Sequence, residues 1–85
     1  MDRVFIDVRE PNEYASGHVV SAINVPVSKI ATSDVIKELP KDAQIVTYCA
    51  AGGRAGRAKS TLDSMGFLDV TNGINQATVE SKYFS

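Results

Sequence analysis

The sequence predicts an α/β domain: a small, mainly parallel central sheet with helices on both faces, in three layers. Short β-branched and aromatic runs alternate along the chain with segments of helical apolar spacing, and strands separated by helices imply parallel pairing through crossover connections. The length of 85 residues leaves room for one domain, 1–85. A chain this short buries only roughly 60% of its unfolded surface and must keep its loops short. Its 44% apolar and 22% charged residues fit a globular fold and are too apolar for a disordered chain.

Each element has its own signal. Val4-Phe5-Ile6-Asp7-Val8 reads as a buried strand interrupted by one acid. Pro11 to Ser16 reads as a helix of one or two turns, with Pro11 at its first position, Glu10 before it and Gly17 to end it. Ala22-Ile23-Asn24-Val25 is a short strand closed by Pro26, which has no N–H for a central ladder. Ser28 to Leu39 carries Ile30, Val35, Ile36 and Leu39 at helical spacing, and within it Ser33-Asp34-Val35-Ile36-Lys37-Glu38 looks like a capped helix that Pro40 stops. Lys41-Asp42 turns the chain into a strand from Gln44 to Tyr48 that runs out at Cys49. Arg54 opens the next helix, whose stripe Ala55, Ala58, Leu62 and Met65 faces the core and which Gly66 ends. Phe67 to Val70 reads as a last strand, and Ile74 to Ser85 as a terminal helix or tail.

Composition excludes several function classes. A net charge of −1 supplies no general field for nucleic acid or an anionic membrane, and no basic run supplies a local one. One cysteine and one histidine form neither an intramolecular disulfide nor the usual zinc patterns, so no metal or cofactor is expected. No apolar run is long enough to span a membrane. Met1-Asp2-Arg3 lacks the apolar core of a signal peptide, so the chain as it stands reads as cytoplasmic, or as periplasmic where a leader has been removed.

Chemistry concentrates at Cys49. It lies between a buried strand and a Gly-bearing segment, Ala50-Ala51-Gly52-Gly53, that feeds a helix at Arg54. In open α/β sheets ligands bind beyond the carboxyl ends of the strands, and Cys49 occupies such an end. First-turn N–H groups lack intrahelical partners and carry the positive end of the helix dipole, which favours thiolate over thiol. Successive N–H groups from Ala50, Ala51, Gly52, Gly53 and Arg54 can converge as an anion-binding nest, glycine permitting positive φ. A free thiol titrates near ~8.5, and comparable helix-terminal sites fall to roughly 3.5–7.5, so no separate base is needed. The bland alternative is a buried cysteine acting as a small hydrophobe. Between Thr47 and Leu62 there are Arg54, Arg57 and Lys59 and no acid, so an anionic ligand fits the local field.

Ile6-Asp7-Val8-Arg9-Glu10-Pro11-Asn12-Glu13-Tyr14, then Gly17 to Pro26, then Ile45-Val46-Thr47-Tyr48-Cys49 and the loop to Arg54 resemble, in order, the signatures of a single-domain rhodanese. The resemblance runs from Phe5 to about Asn72, and the segment Gly56 to Gly66 is most similar to the small phage-shock-type sulfurtransferases. It implies a rhodanese-like fold. It also implies transfer of sulfane sulfur, through a persulfide on Cys49, from an anionic donor such as thiosulfate to cyanide, a thiol or a protein acceptor. In two places the chain departs from the family. A further strand and helix usually precede the Asp-x-Arg signature, whereas only Met1 to Val4 do so here, so a minimal or truncated version with an exposed strand edge, open to a second copy, is expected. Gly73 also stands alone where many relatives carry a Gly-Gly pair, implying a shortened turn.

Other residues take supporting roles or have two readings. Arg54 either holds the donor's oxygens with its rigid fork or clamps a carboxylate such as Asp7. Arg57 and Lys59 are solvated helix residues unless the site uses Arg57. Asp7 needs a partner inside an apolar strand, and Arg9, two residues on, points to the same face. His18 lies in a turn beside Gly17, in scaffold more than in a Cys–His pair. Tyr14, Tyr48 and Phe67 read as core or pocket wall. Two rivals remain. One is a rhodanese-fold binding or regulatory module. The other is a cysteine-dependent phosphatase or arsenate reductase, whose loop between Cys and Arg is one residue longer than Ala50–Gly53 and so makes a wider cradle.

Overall fold

A computed structural model describes residues 3–85. The leader reading of Met1 and Asp2 lies outside them. Four parallel strands form one sheet in the order β2-β1-β3-β4: β1 is Arg3–Asp7, β2 Ile23–Asn24, β3 Gln44–Cys49 and β4 Asp69–Asn75. β1 pairs with β3 from Arg3↔Gln44 to Asp7↔Tyr48, and β4 follows β3 from Gln44↔Asp69, with a register shift between Thr47 and Cys49. β1 therefore lies inside the sheet; the edges belong to β2 and β4.

The helices divide between the faces. Alternation along β3 sends Ile45 and Cys49 to a larger cluster with Ile36 of α2 (Asp34–Lys37) and with Ala55, Ala58 and Leu62 of α3 (Gly53–Ser64). Val46 and Tyr48 point the other way, into a smaller cluster with Val79 of α4 (Gln76–Tyr83) and the partly buried Tyr14 of α1 (Pro11–Ala15). Met65, the last position of the α3 stripe, packs against the larger cluster from a partly buried site.

Local chemistry explains most of the boundaries. The Glu13 carboxylate accepts the Glu10 N–H at 3.0 Å while the Glu13 N–H donates to the Glu10 carbonyl at 3.0 Å, closing the start of α1 with Pro11 in the first turn. Ser33 accepts the Ile36 N–H at 3.3 Å and starts α2. Its extended backbone, φ −70° and ψ 128°, breaks the expected Ser28–Leu39 stretch into a 3₁₀ segment, Val27–Thr32, and the short α2. Gly66 takes φ 97° directly after the end of α3.

The last strand departs from expectation. Phe67 is buried against the larger cluster but precedes the ladder, and Leu68 is 80% exposed with its N–H on the Lys41 carbonyl at 2.9 Å. The strand instead runs through Thr71-Asn72-Gly73, a polar run with little β preference of its own. Pairing with β3 decides its conformation.

Candidate active site

β3 carries Cys49 to the carboxyl end of an interior strand. Two positions earlier, the buried Thr47 hydroxyl donates to the Ala55 carbonyl at 3.0 Å and ties the strand to α3. The chain then turns through Ala50 and Ala51, and Gly52 adopts φ 98° and ψ −16°, a left-handed conformation open to glycine without a Cβ clash. α3 begins at once, at Gly53, one residue before the expected start.

This turn aims the helix N-terminus at the sulfur. The Gly52 N–H donates to Cys49 Sγ at 3.1 Å and the Ala55 N–H at 3.3 Å. Burial pushes the thiol up, whereas the amides of Ala55, Ala51, Gly52 and Arg54 favour the thiolate; the balance leaves it below the ordinary thiol value. Ala55 lies beyond the expected loop, yet as a first-turn residue of α3 it has an N–H free for the sulfur.

Cys49 is only 2% exposed, and that area opens on a pocket of about 370 Å³ lined by Cys49, Ala50, Ala51, Gly53, Arg54 and Arg57. The pocket thus gathers Cys49, most of the expected loop and one supporting residue, Arg57. Gly52 does not line the pocket but contributes its N–H to the sulfur. Arg57 is exposed, and among the described residues its guanidinium has no hydrogen-bond or ion-pair partner.

Arg54 clamps a carboxylate, but not the one expected. Its Nη1 and Nη2 donate to Glu13 Oε1 and Oε2 at 2.7 and 3.1 Å, joining α1 to the active loop. The Arg54 guanidinium, with help from the Glu10 N–H, holds the Glu13 carboxyl down at about 2. Asp7 is engaged elsewhere: it is fully buried and accepts Arg9 Nε and Nη2 at 2.9 and 2.7 Å and the Tyr48 hydroxyl at 3.0 Å. Arg9 also donates to the Gly17 carbonyl at 2.8 Å, and its own pKa is raised, chiefly by the bond to Asp7. Burial pushes Tyr48 up to about 12, so its hydroxyl stays protonated and donates to Asp7. Asp7 and Arg9 therefore brace the chain beneath the site and do not line the pocket. His18 stacks on Tyr14 with ring centroids 3.6 Å apart, its Nδ1 lies 2.8 Å from the Tyr14 carbonyl, and it makes no hydrogen bond to Cys49.

Two contributors carry no local signal for this role. Glu13 reads from sequence only as one residue of the short Pro11–Ser16 helix, and Asn72, whose Nδ2 donates to the Gly52 carbonyl at 3.1 Å, lies within an unremarkable polar run. Among the described residues no His, Cys, Asp and Glu cluster can hold a metal ion, and no helix is long and apolar enough to cross a membrane.

Comparison with known proteins agrees with this geometry. The family model described as a rhodanese-like domain matches residues 1–76. Thiosulfate sulfurtransferase PspE of Escherichia coli is 37% identical over 68 residues, and the uncharacterized protein YqhL of Bacillus subtilis is 39% identical over 67 residues. These alignments cover 80% and 79% of this chain but 65% and 52% of the relatives, so the chain spans about half to two-thirds of their lengths. A solved structure described as a rhodanese with anions from E. coli superposes with a TM-score of 0.82 at 32% identity, covering 91% of each chain. With a sheet, a cysteine loop and a helix arranged in this way, the chain belongs to the rhodanese-like domain family.

Proposed function

We propose that this domain is a sulfurtransferase that moves sulfane sulfur through a persulfide on Cys49. The observation that carries the reading is the pair of N–H groups, from Gly52 and Ala55, within hydrogen-bond reach of Sγ. They stabilise the thiolate before reaction and the leaving thiolate after it. The Cys49 thiolate attacks the outer sulfur of thiosulfate; a new S–S bond forms, the donor's S–S bond breaks, and sulfite departs with the electron pair. An acceptor, cyanide or a thiolate, then attacks the terminal sulfur and releases the Cys49 thiolate.

Family membership supports this chemistry, and one relative is named a thiosulfate sulfurtransferase. The pocket's charge supports an anionic donor. Glu13 already holds the Arg54 fork, which leaves the Arg57 guanidinium at the pocket wall to meet the donor's oxygens, with Arg54 bracing the loop. These 85 residues hold no second thiol to resolve the persulfide, so its acceptor is a small thiophile or a thiol from outside them.

Intact mass before and after thiosulfate tests the proposal. Expected is a gain of one sulfur atom that cyanide removes and that Cys49→Ser abolishes. Turnover of an aryl phosphate without sulfur uptake would favour the phosphatase rival. A protein that does neither is a rhodanese-fold binding module.

A further inference from the structure

Gly52 and Gly53 are adjacent glycines, the most permissive residues for backbone rotation, yet the loop can act on the sulfur only while the Gly52 N–H is held in one direction. Something outside the loop must hold it. The closing turn of β4 lies against it. Ile74 has φ 74°, a left-handed conformation that β-branched residues rarely adopt and that persists only where surrounding structure imposes it. Its N–H donates to Asn72 Oδ1 at 2.9 Å. The other end of the same side chain, Nδ2, donates to the Gly52 carbonyl at 3.1 Å. That oxygen also accepts the Gly56 N–H, the first helical bond of α3, at 2.9 Å, so both of its lone pairs are engaged. Beneath the turn, a Cβ at Gly73 would come within 2.6 Å of Val79 Cγ2 and 2.8 Å of Val46 Cγ1; the turn sits directly on packed core.

We infer that Asn72 is a positioning residue for Cys49: its side-chain amide pins Gly52 between β4 and α3 so that the Gly52 N–H stays aimed at the sulfur. A chain of bonds runs from the Ile74 N–H through Asn72 and Gly52 to Sγ, and the strained turn at Ile74 keeps the Asn72 amide oriented. The consequence for sulfur transfer rests on the function proposed above. The consequence for the thiol rests on this geometry alone.

The test reads the thiol directly, through the pH dependence of alkylation by iodoacetamide, in Asn72→Ala, Asn72→Ser and, as a control, Ser33→Ala. Ser33 caps α2 away from the loop, so its removal lowers stability without touching Gly52. Both Asn72 variants are expected to raise the titration midpoint of Cys49 and to slow alkylation below that midpoint roughly tenfold, with Ser33→Ala unchanged. Should neither Asn72 variant fold, NMR titration of the unmodified protein decides: the Asn72 side-chain amide resonances are expected to shift with the midpoint of Cys49. Folded Asn72 variants that titrate like the parent protein, or Asn72 resonances blind to the ionisation, overturn the assignment. A protein that takes no sulfur from thiosulfate sinks the transfer reading and leaves this result interpretable, because alkylation needs no donor.

Discussion

Cys49 sits under two opposed influences, burial that disfavours its charge and backbone amides that favour it, and the amides prevail. Because the reactive form is the thiolate and its pKa is lowered, the rate of sulfur uptake from thiosulfate is expected to rise with pH and to level off below the range, near ~8.5, in which a free thiol ionises. Stopped-flow measurement of uptake against pH checks this; a rate still climbing through that range contradicts it. At the pocket wall, Arg57→Ala is expected to raise KM for thiosulfate roughly tenfold, the loss of about one charge-assisted contact, and to leave discharge to cyanide unchanged. Steady-state kinetics with each substrate varied in turn separates the two steps, and an unchanged KM would return Arg57 to the solvated face of α3. The position of Cys49 and its loop was legible in the sequence because its logic is local: strand, cysteine, glycines and helix follow one another without interruption. Glu13 and Asn72 were not, since they reach Arg54 and Gly52 across 41 and 20 positions of chain, and each has an ordinary reading where it stands.

Among the elements, those with chemical punctuation could be read closely. Pro11, with Glu10 before it and Gly17 after, marks α1, Ser33 marks α2, and Gly66 marks the end of α3. β4 lacks such marks: its central residues are Thr71, Asn72 and Gly73, and their strand conformation comes from pairing with β3, so the apolar Phe67-Leu68 pair drew the expected strand toward the N-terminus. Gly73 has a consequence of its own. The space of a Cβ there is already taken by Val79, Val46 and the Thr47 carbonyl, the last at 2.9 Å, so Gly73→Ala is expected to destabilise by about 1–3 kcal/mol through overpacking. Urea unfolding measures it. A variant with the parent's midpoint would mean that β4 can lift from α4 at little cost, and the turn would then be a poor support for the active loop.

For the whole molecule, the fold class follows from the alternation of elements, but the order of strands does not. The short N-terminus suggests an exposed strand edge without saying which strand it is; β1 is flanked by β2 and β3, with its Asp7 buried on Arg9 and Tyr48, and the edges are β2 and β4. That order sets the site. Placing β3 inside the sheet puts Cys49 where three separate parts of the chain converge: α1 through Glu13, α3 through its first turn, and β4 through Asn72. The slight net negative charge of the chain conceals a pocket whose wall carries two guanidinium groups and no carboxylate. The central claim, that backbone amides hold an ionised sulfur with room for one more sulfur atom, is tested most directly by a crystal structure after thiosulfate treatment. Expected is one additional atom bonded to Cys49 Sγ, projecting into the pocket within hydrogen-bond reach of the loop amides. An unmodified sulfur, or an added atom turned away from those amides, would contradict it.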